Sequence, residues 1–133
     1  MDTGLGGRSV IVTGATAHIG RAITFAFAAE GAKLALVGRD EAAGATVADL
    51  ILARCAADAS WLRADVTDED DVARIVDRTR ARFGGPDVVV NNVGGNVAMG
   101  PFVDSQVADW RADVELNLIS TTPCTQAVLP LMI

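Results

Sequence analysis

The chain has 133 residues, half of them hydrophobic, which suits one compact domain and is too short for two ordinary ones. Its 17 acidic and 11 basic side chains leave a net charge of -6, so it lacks the basic face that a nucleic-acid partner requires. No uncharged apolar stretch reaches about 18 residues and no signal-like leader opens the sequence, so we expect no membrane partner and a cytoplasmic location.

The first two strands and helices are marked by apolar runs and by the residues that end them. Residues 10–13 predict a strand, and a helical run at about 19–30 ends at Gly31, which can adopt the left-handed turn. A second short strand is predicted over 33–37. Asp40 is placed to N-cap a helix that continues to about residue 57.

A third strand and helix follow with weaker signals. Residues 61–63 predict the strand, and Thr67 with Asp70 resembles a helix-capping box that has Asp in place of the usual Glu or Gln. Apolar residues then recur at helical spacing up to Phe83, where the Gly-Gly-Pro sequence at 84–86 stops the helix. The alternation of strand and helix is thereby repeated a third time.

The last part of the chain holds a fourth strand and a long helical pattern. Residues 88–90 predict the strand, and a Gly-rich loop leads to Ser105, which can cap a helical segment that reaches residue 133. Pro123 inside that pattern predicts a break near Thr122. Together these elements predict an α/β fold with a doubly wound parallel sheet, Rossmann-like and incomplete as given.

The turn between the first strand and helix, Thr13 to Gly20, is suited to hold a phosphate group. A Gly-rich turn that opens a helix presents free backbone N–H groups and the positive end of the helix dipole to an anion. Glycine occurs here only at Gly14 and Gly20, so an ordinary strand-to-helix turn is the alternative. Nucleotide binding is therefore the first hypothesis.

Polar or glycine clusters follow all four predicted strands. Parallel strands point their carboxyl ends to one edge of the sheet, where the ligands of such folds bind. These clusters are therefore expected to form one site. They are Thr13-Gly14, Gly38-Arg39-Asp40, Asp65-Val66 and Asn91-Asn92-Val93-Gly94.

Taken together with Asn117, these clusters resemble the motifs of the short-chain dehydrogenase/reductase family in order and spacing. The resemblance covers essentially the whole chain but corresponds to about the first half of a family member. It implies that residues 1–133 form an NAD(P)-binding Rossmann-type domain, truncated before the catalytic Ser and YxxxK segment, and that the protein is a homo-oligomer, either a dimer or a tetramer. The motifs are Thr13-Gly14-x-x-x-x-x-Gly20, Asp65-Val66, Asn91-Asn92-x-Gly94 and Asn117 within 113–118.

The resemblance implies a role for each of these residues. Asp65 would hydrogen-bond the adenine amino group beside the Val66 backbone, and Asn117 would be the catalytic-tetrad asparagine that holds a helix kink and a relay water. The alternatives are a helix-approach residue for Asp65, a turn-forming side chain for Asn92 and a purely structural side chain for Asn117. The pyrophosphate would lie on Gly14, Thr16, His18, Ile19 and Gly20, and the adenosine ribose beside Asn92, Val93 and Gly94.

His18 stands where the family usually has the middle glycine of its TGxxxGxG motif. We expect its imidazole to point out of the turn or to take part in capping, and the alternative is donation to a phosphate oxygen. It is the single histidine of the chain, and no thiol or carboxylate motif accompanies it, so no metal site is predicted.

The cysteines and tryptophans are expected to be structural. Cys55 and Cys124 are 69 positions apart with no CxxC motif, so we expect unpaired thiols rather than a disulfide. Trp61 and Trp110 are interpreted as anchors of the core rather than as substrate contacts.

The end of the second strand decides between NAD and NADP. A carboxylate there binds both ribose hydroxyls and repels a 2′-phosphate, whereas an arginine forms a charge-assisted fork with that phosphate. Gly38 occupies the position of the NAD-type carboxylate and Arg39 follows it, so NADP is the predicted cofactor. NAD is the alternative because Asp40 is adjacent, and an exposed turn charge is the alternative for Arg39.

The chemistry that the resemblance implies is hydride transfer between NADP(H) and a small carbonyl or secondary alcohol. Its tyrosine, lysine and serine cannot be assigned, since the chain has no tyrosine and its sole lysine, Lys33, opens the second strand, predicted on the cofactor side of the fold. We therefore expect residues 1–133 alone to be inactive. The alternatives are a non-enzymatic, redox-sensing dinucleotide-binding module and another Rossmann-type enzyme such as a methyltransferase.

Overall fold

The computed structural model describes residues 3–133 as one parallel sheet with helices packed on both faces. Strands and helices alternate as far as the fourth strand, and a 3₁₀ turn (Phe102–Asp104) and a π-helical turn (Glu115–Ile119) interrupt the later part. The strands are β1 (Ser9–Thr13), β2 (Lys33–Gly38), β3 (Ala59–Arg63) and β4 (Val88–Val90). The helices are α1 (His18–Ala29), α2 (Glu41–Cys55), α3 (Glu69–Phe83), α4 (Val107–Val114) and α5 (Thr121–Met132).

The sheet has the strand order β3-β2-β1-β4, and every neighbouring pair is parallel. The chain moves outward from β1 through β2 to β3 and then crosses back to place β4 on the other side of β1. The predicted doubly wound, Rossmann-like α/β fold is confirmed within the described residues. Its strand order reverses between β1 and β4, and in such sheets that reversal leaves a crevice at the carboxyl ends of the strands.

Both faces of the sheet are covered, which explains why its central strands are continuous apolar runs. Val10 and Val12 of β1 pack on the side of α1 and α2, while Ile11 packs on the side of α3 and α5. All three side chains are at most 1% exposed. The buried centre of the sheet therefore fixes the positions of the strand ends.

Two predicted helix boundaries are confirmed by their local geometry. Asp40 N-caps α2 by accepting a hydrogen bond from the Ala43 N–H at 3.0 Å. Gly31 follows α1 with a φ of +77°, the left-handed conformation that glycine adopts without strain. In both places a short-range signal was sufficient to locate the end of the helix.

Two predicted N-caps are wrong by one residue. Asp68 rather than Thr67 caps α3, because the Thr67 hydroxyl donates to Asp65. Gln106 rather than Ser105 precedes α4, because the Ser105 hydroxyl donates to a carbonyl of the preceding 3₁₀ turn. In each case the hydroxyl predicted as the cap is engaged in the loop before the helix.

The final helical pattern is divided rather than continuous. α4 leads into the π-helical turn, and α5 begins at Thr121, so the break lies close to Thr122 as predicted. Pro123 is the third residue of α5 and has no N–H to donate to the Ile119 carbonyl, four residues earlier; that carbonyl accepts from the Thr122 hydroxyl at 2.8 Å instead. The π-helical turn contains Asn117, and the helix kink that the family resemblance implies for this residue stays a prediction.

Two other predicted positions are wrong. Lys33 begins β2 and therefore lies at the amino ends of the strands, at the edge of the sheet opposite the predicted cofactor side. Trp110 is 47% exposed, and its ring contacts Phe102 of the 3₁₀ turn rather than the core of the sheet. Trp61 does pack on the core, and Cys55 and Cys124 are unpaired thiols, as expected.

Among residues 3–133, none of the helices combines the length and the hydropathy that a membrane span requires. The same residues contain no group of three or more His, Cys, Asp or Glu side chains arranged to hold a metal ion.

Candidate functional site

A cleft of about 760 Å³ opens at the carboxyl ends of the strands, at the strand reversal between β1 and β4. The loop after each strand contributes to its wall, and the π-helical turn adds to it. The twelve residues to which the sequence analysis assigned a role in binding or catalysis line this cleft: Gly14, Thr16, His18, Ile19, Gly20, Arg39, Asp65, Val66, Asn92, Val93, Gly94 and Asn117. Gly38 and Asp40 of the predicted clusters and Ala17 of the predicted turn line it as well, whereas Thr13 and Asn91 do not. The lining residues that sequence reasoning did not select are Val37, Ala64, Thr67, Gly95 and Leu116.

Gly14 and Gly20 bring the two ends of the β1–α1 turn into contact. Gly14 has a φ of +64°, in the left-handed region that favours glycine. A Cβ at Gly20 would overlap the Gly14 carbonyl oxygen and the side-chain nitrogen of Asn92. The two glycines are therefore required by the packing of the turn itself.

The start of α1 is left without the side-chain cap that α2 and α3 have. Its N-cap is Ala17 and its first turn contains no acidic residue, whereas Asp40 and Asp68 cap the next two helices. The first N–H groups of a helix have no intrahelical partner. With the helix dipole, they make the start of α1 a favourable place for an anion at the end of β1.

His18 is the first residue of α1 and has a φ of +46°. This left-handed conformation costs a residue with a Cβ about 1–2 kcal/mol, which accounts for the glycine that the family motif has at this position. The side chain is exposed, as expected for an outward position. A contact between the imidazole and a phosphate stays a prediction.

Thr13 ties the end of β1 to the loop after β4. Its buried hydroxyl donates to the Val90 carbonyl at 3.2 Å and accepts from the N–H groups of Asn92 and Val93 at 3.0 and 3.2 Å. The Asn92 amide donates in return to the carbonyls of Thr13 and Gly14, at 3.1 and 3.2 Å. Asn92 thus bonds the turn of another strand rather than its own backbone, and sequence reasoning missed the role of the Thr13 hydroxyl.

Asp65 is held in the loop after β3 by its own turn. One carboxylate oxygen accepts from the backbone N–H and the hydroxyl of Thr67, at 3.0 and 2.7 Å. These two hydrogen bonds, aided by the positive charge of Arg39, hold the pKa of the Asp65 carboxyl below its ordinary value of 3.8. The carboxylate is therefore ionised near neutral pH and can accept a further hydrogen bond from an amino group.

Replacing Asp65 by Asn is expected to make the stability of the chain less sensitive to acid. Because the pKa is lowered in the folded state, ionised Asp65 stabilises the fold above its ordinary value of 3.8, and this contribution is lost as the pH falls through the folded-state pKa. The unfolding temperature of the wild type should exceed that of Asp65→Asn at about pH 7 and approach it as the pH falls through the lowered folded-state pKa.

Thermal unfolding followed by circular dichroism across this pH range measures the effect. Asp104→Asn is a suitable control, since Asp104 is an exposed residue of the 3₁₀ turn. If the wild-type and Asp65→Asn curves keep a constant separation down to the lowest pH, the lowered pKa does not contribute to stability.

Asn117, in the π-helical turn, clamps the loop that follows β4. Its side-chain amide donates to the carbonyls of Gly95 and Asp113, both at 2.8 Å, and its side-chain oxygen accepts from the Gly95 N–H at 3.0 Å. A Cβ at Gly94 would lie 2.8 Å from that oxygen, so this close approach requires glycine. Both N–H donors of the amide hold backbone groups, which is the structural role considered for Asn117; its role in a catalytic tetrad stays a prediction.

The end of β2 presents an arginine without a bonded protein partner. Arg39 is exposed and forms neither a hydrogen bond nor a salt bridge within residues 3–133. Asp40, in contrast, is engaged as the N-cap of α2. Among the residues that line the cleft, Arg39 is the one Arg or Lys, so its guanidinium is the group most suited to bind an anion beside β2.

The sheet and its cleft define a Rossmann-type α/β protein, a class that binds dinucleotides at this strand reversal. The residues present fit such a ligand, because the uncapped start of α1 suits a pyrophosphate, Asp65 can accept from an amino group and Arg39 offers a free positive charge. A profile of the short chain dehydrogenases matches residues 8–133, and the chain belongs to this family.

Curated relatives and solved structures are similar to the chain over most of its length. It is 39% identical over 122 residues to cis-4-hydroxycyclohexanecarboxylate dehydrogenase from Sinomonas cyclohexanicum, covering 92% of this chain and 48% of that protein. It is 34% identical over 124 residues to L-fucose dehydrogenase from Oryctolagus cuniculus, covering 93% and 42%. L-sorbose reductase from Gluconobacter frateurii, solved with NADPH and L-sorbose, has a TM-score of 0.90 at 28% identity, covering 99% of this chain and 50% of that one.

The chain spans about half the length of the curated relatives that it matches. Their names describe dehydrogenases of small molecules, so the family supports an oxidoreductase.

Proposed function

We propose that residues 1–133 are the NAD(P)-binding domain of a short-chain dehydrogenase/reductase that transfers a hydride between NADP(H) and a small carbonyl compound or secondary alcohol. The observation that carries this proposal is the cleft in which the uncapped start of α1, Asp65 and Arg39 face the same space. Membership of the family supports the class of reaction. The complex of the similar L-sorbose reductase with NADPH supports the cofactor.

Each loop of the cleft would bind one part of the cofactor. The N–H groups at the start of α1, from Ile19 and Gly20, would hold the pyrophosphate, with Thr16 and His18 beside it. Asp65 would accept from the adenine amino group next to Val66. Asn92 holds the loop that would carry Val93 and Gly94 along the adenosine ribose. When bound, the cofactor supplies or accepts the hydride.

We propose that the general acid of the reaction comes from protein outside residues 1–133, since these contain no tyrosine. Within the chain, Asn117 fixes the Gly94–Gly95 loop and with it the wall of the cleft. A protein that contains this chain, binds NADPH and shows no oxidoreductase activity toward carbonyls or alcohols would favour the non-enzymatic binding module instead.

The choice of NADP over NAD rests on the end of β2. A 2′-phosphate carries the negative charge that the unpaired guanidinium of Arg39 can bind through a two-point fork. Asp40 is the carboxylate that follows the end of β2 most closely in sequence. It accepts a hydrogen bond from the Ala43 N–H as the N-cap of α2. NAD-type recognition would require a carboxylate that is free to accept from the ribose hydroxyls.

Arg39→Asp is expected to invert the preference of the chain for NADPH over NADH. The substitution removes the partner of the 2′-phosphate and places a repelling carboxylate beside it, so the affinity for NADPH should fall about tenfold or more, while that for NADH is kept or rises. Calorimetric titration of the wild type and Arg39→Asp with NADPH and with NADH measures the four affinities.

Arg78→Asp provides the charge-matched control, because Arg78 is exposed on α3 and does not line the cleft. An unchanged ratio of affinities in Arg39→Asp would contradict the role of Arg39. Failure of the wild type to bind either nucleotide would contradict the cofactor site as a whole.

We also propose a cytoplasmic homo-oligomer, a dimer or a tetramer, without nucleic-acid or membrane partners. The net charge of -6 argues against nucleic acid, and the two unpaired cysteines suit a reducing compartment. Exposed apolar side chains on α4 and the π-helical turn, at Val107, Val114 and Leu118, offer a surface for contact between subunits.

A further inference from the structure

Trp61 of β3 occupies the space that a side chain at the end of β2 would need. It pairs with Leu36 of β2, so its indole lies on the same face of the sheet as Leu36 and Gly38, two residues further along. A Cβ at Gly38 would lie 2.7 Å from the Cη2 atom of Trp61 and 3.5 Å from its Cζ3 atom. The outer edge of the indole therefore stands directly against the Gly38 backbone.

The indole cannot withdraw from Gly38 toward α2. A Cβ at Gly44 of α2 would overlap Cδ2 and Cε2 of Trp61, so the ring already lies in contact with the helix backbone. Movement in the other direction would expose apolar ring surface at the edge strand β3. Trp61 is thus held between two glycines, one on α2 and one on β2.

Backbone conformation does not explain either glycine. Neither Gly38 nor Gly44 has a positive φ, and Gly44 lies inside a helix, where alanine is favoured by about 1 kcal/mol. The Trp61 ring is the neighbour that excludes a side chain at both positions. Within residues 3–133 the buried Nε1 atom of Trp61 has no hydrogen-bond partner, and the contacts of the ring with Gly38 and Gly44 are made by its carbon atoms.

Gly38 lines the cleft beside Arg39, at the position where a carboxylate would bind the ribose hydroxyls of NAD. We propose that Trp61 is a specificity-determining, positioning residue, which excludes a carboxylate from position 38 and so leaves Arg39 to select a 2′-phosphorylated nucleotide. This inference rests on the proposed NADP(H)-dependent function. Trp61 does not line the cleft, and its effect on the nucleotide is exerted through Gly38.

The test combines Gly38→Asp with Trp61→Leu, so that the effect of a carboxylate at position 38 is measured with and without the Trp61 ring. The probes are 2′,5′-ADP and 5′-AMP, which report on the ribose end of the cleft alone. Gly38→Asp by itself should lower the unfolding temperature and weaken the binding of both probes. Adding Trp61→Leu should restore the unfolding temperature toward that of Trp61→Leu alone and move the ratio of the two affinities about tenfold or more toward 5′-AMP.

Trp61→Leu alone should keep the wild-type preference for 2′,5′-ADP, because Arg39 and Gly38 are unchanged. A merely structural role for Trp61 would lower the stability in every background without moving the affinity ratio of the double variant. The inference is overturned if Gly38→Asp, with Trp61 in place, is as stable as the wild type and already prefers 5′-AMP, or if the double variant gains no preference for 5′-AMP.

A second pair of variants keeps the steric part testable if the carboxylate variants fail to fold. Gly38→Ala adds a Cβ alone, so Gly38→Ala and Trp61→Leu should be coupled, the second change reducing the loss of unfolding temperature caused by the first. Independent effects would overturn the inference. A wild type that binds 5′-AMP as well as 2′,5′-ADP contradicts the proposed NADP preference instead, and the coupling of the two substitutions still measures what Trp61 excludes.

Discussion

Gly20→Ala is expected to lower the free energy of unfolding by about 3 kcal/mol, the upper end of the cost of overpacking a rigid site. Gly20 lies in the first turn of α1, where helix propensity alone would make alanine the better residue by about 1 kcal/mol. The added Cβ would overlap the Gly14 carbonyl oxygen, however, and this atom belongs to the backbone of the turn. The two effects have opposite signs, so the sign of the measured change decides between them.

The same substitution is expected to weaken NADPH binding about tenfold or more, because separating Gly20 from Gly14 displaces the N–H groups at the start of α1. Urea unfolding and nucleotide titration measure the two effects. Gly6→Ala is the matched control, since a Cβ there meets its nearest atom, the Glu30 carbonyl oxygen, at an ordinary 3.7 Å and Gly6 has no positive φ. A Gly20→Ala variant as stable as Gly6→Ala would show that the turn can open without cost.

The alternation of strands and helices could be predicted because its signals are local. A buried parallel strand such as β1 is a short apolar run, and the ends of α1 and α2 carry Gly31 and Asp40, whose conformational preferences act within a few residues. Where a hydroxyl can either cap a helix or bond within the preceding loop, the predicted N-cap was wrong by one residue. Thr67 bonds back to Asp65 and leaves the cap of α3 to Asp68.

The residues of the cleft could be selected from the sequence because parallel strands place their carboxyl ends at one edge. The hydrogen bonds of these residues could not be predicted from the sequence, since they depend on contacts between distant parts of the chain. The Thr13 hydroxyl meets Asn92 across 79 positions, and Asn117 meets Gly95 across 22. The same holds for Trp61, whose contacts with Gly38 and Gly44 arise only when α2 packs on the sheet.

Thr13→Val is expected to lower the free energy of unfolding by about 1–3 kcal/mol, because it keeps the shape of the side chain but leaves the Val93 N–H without its acceptor. The Asn92 N–H and the Val90 carbonyl each lose one of two partners, because they also bond each other at 3.1 Å. Thr13 is 1% exposed, so water does not replace these bonds without a rearrangement of the site. Urea unfolding of the variant and the wild type measures the difference.

Thr79→Val and Thr13→Ser distinguish this explanation from a general intolerance of the core to change. Thr79 is equally buried, but its hydroxyl donates to the Ile75 carbonyl within α3, which already accepts a helical N–H, so its loss should cost less than about 1 kcal/mol. Thr13→Ser keeps the hydroxyl and should lose about 1 kcal/mol for the missing methyl group. Because the hydroxyl of Thr13 joins the turn after β1 to the loop after β4, Thr13→Val should also weaken NADPH binding, whereas Thr13→Ser should not. Equal losses in Thr13→Val and Thr79→Val would show that the hydroxyl does not hold the two loops of the cleft together.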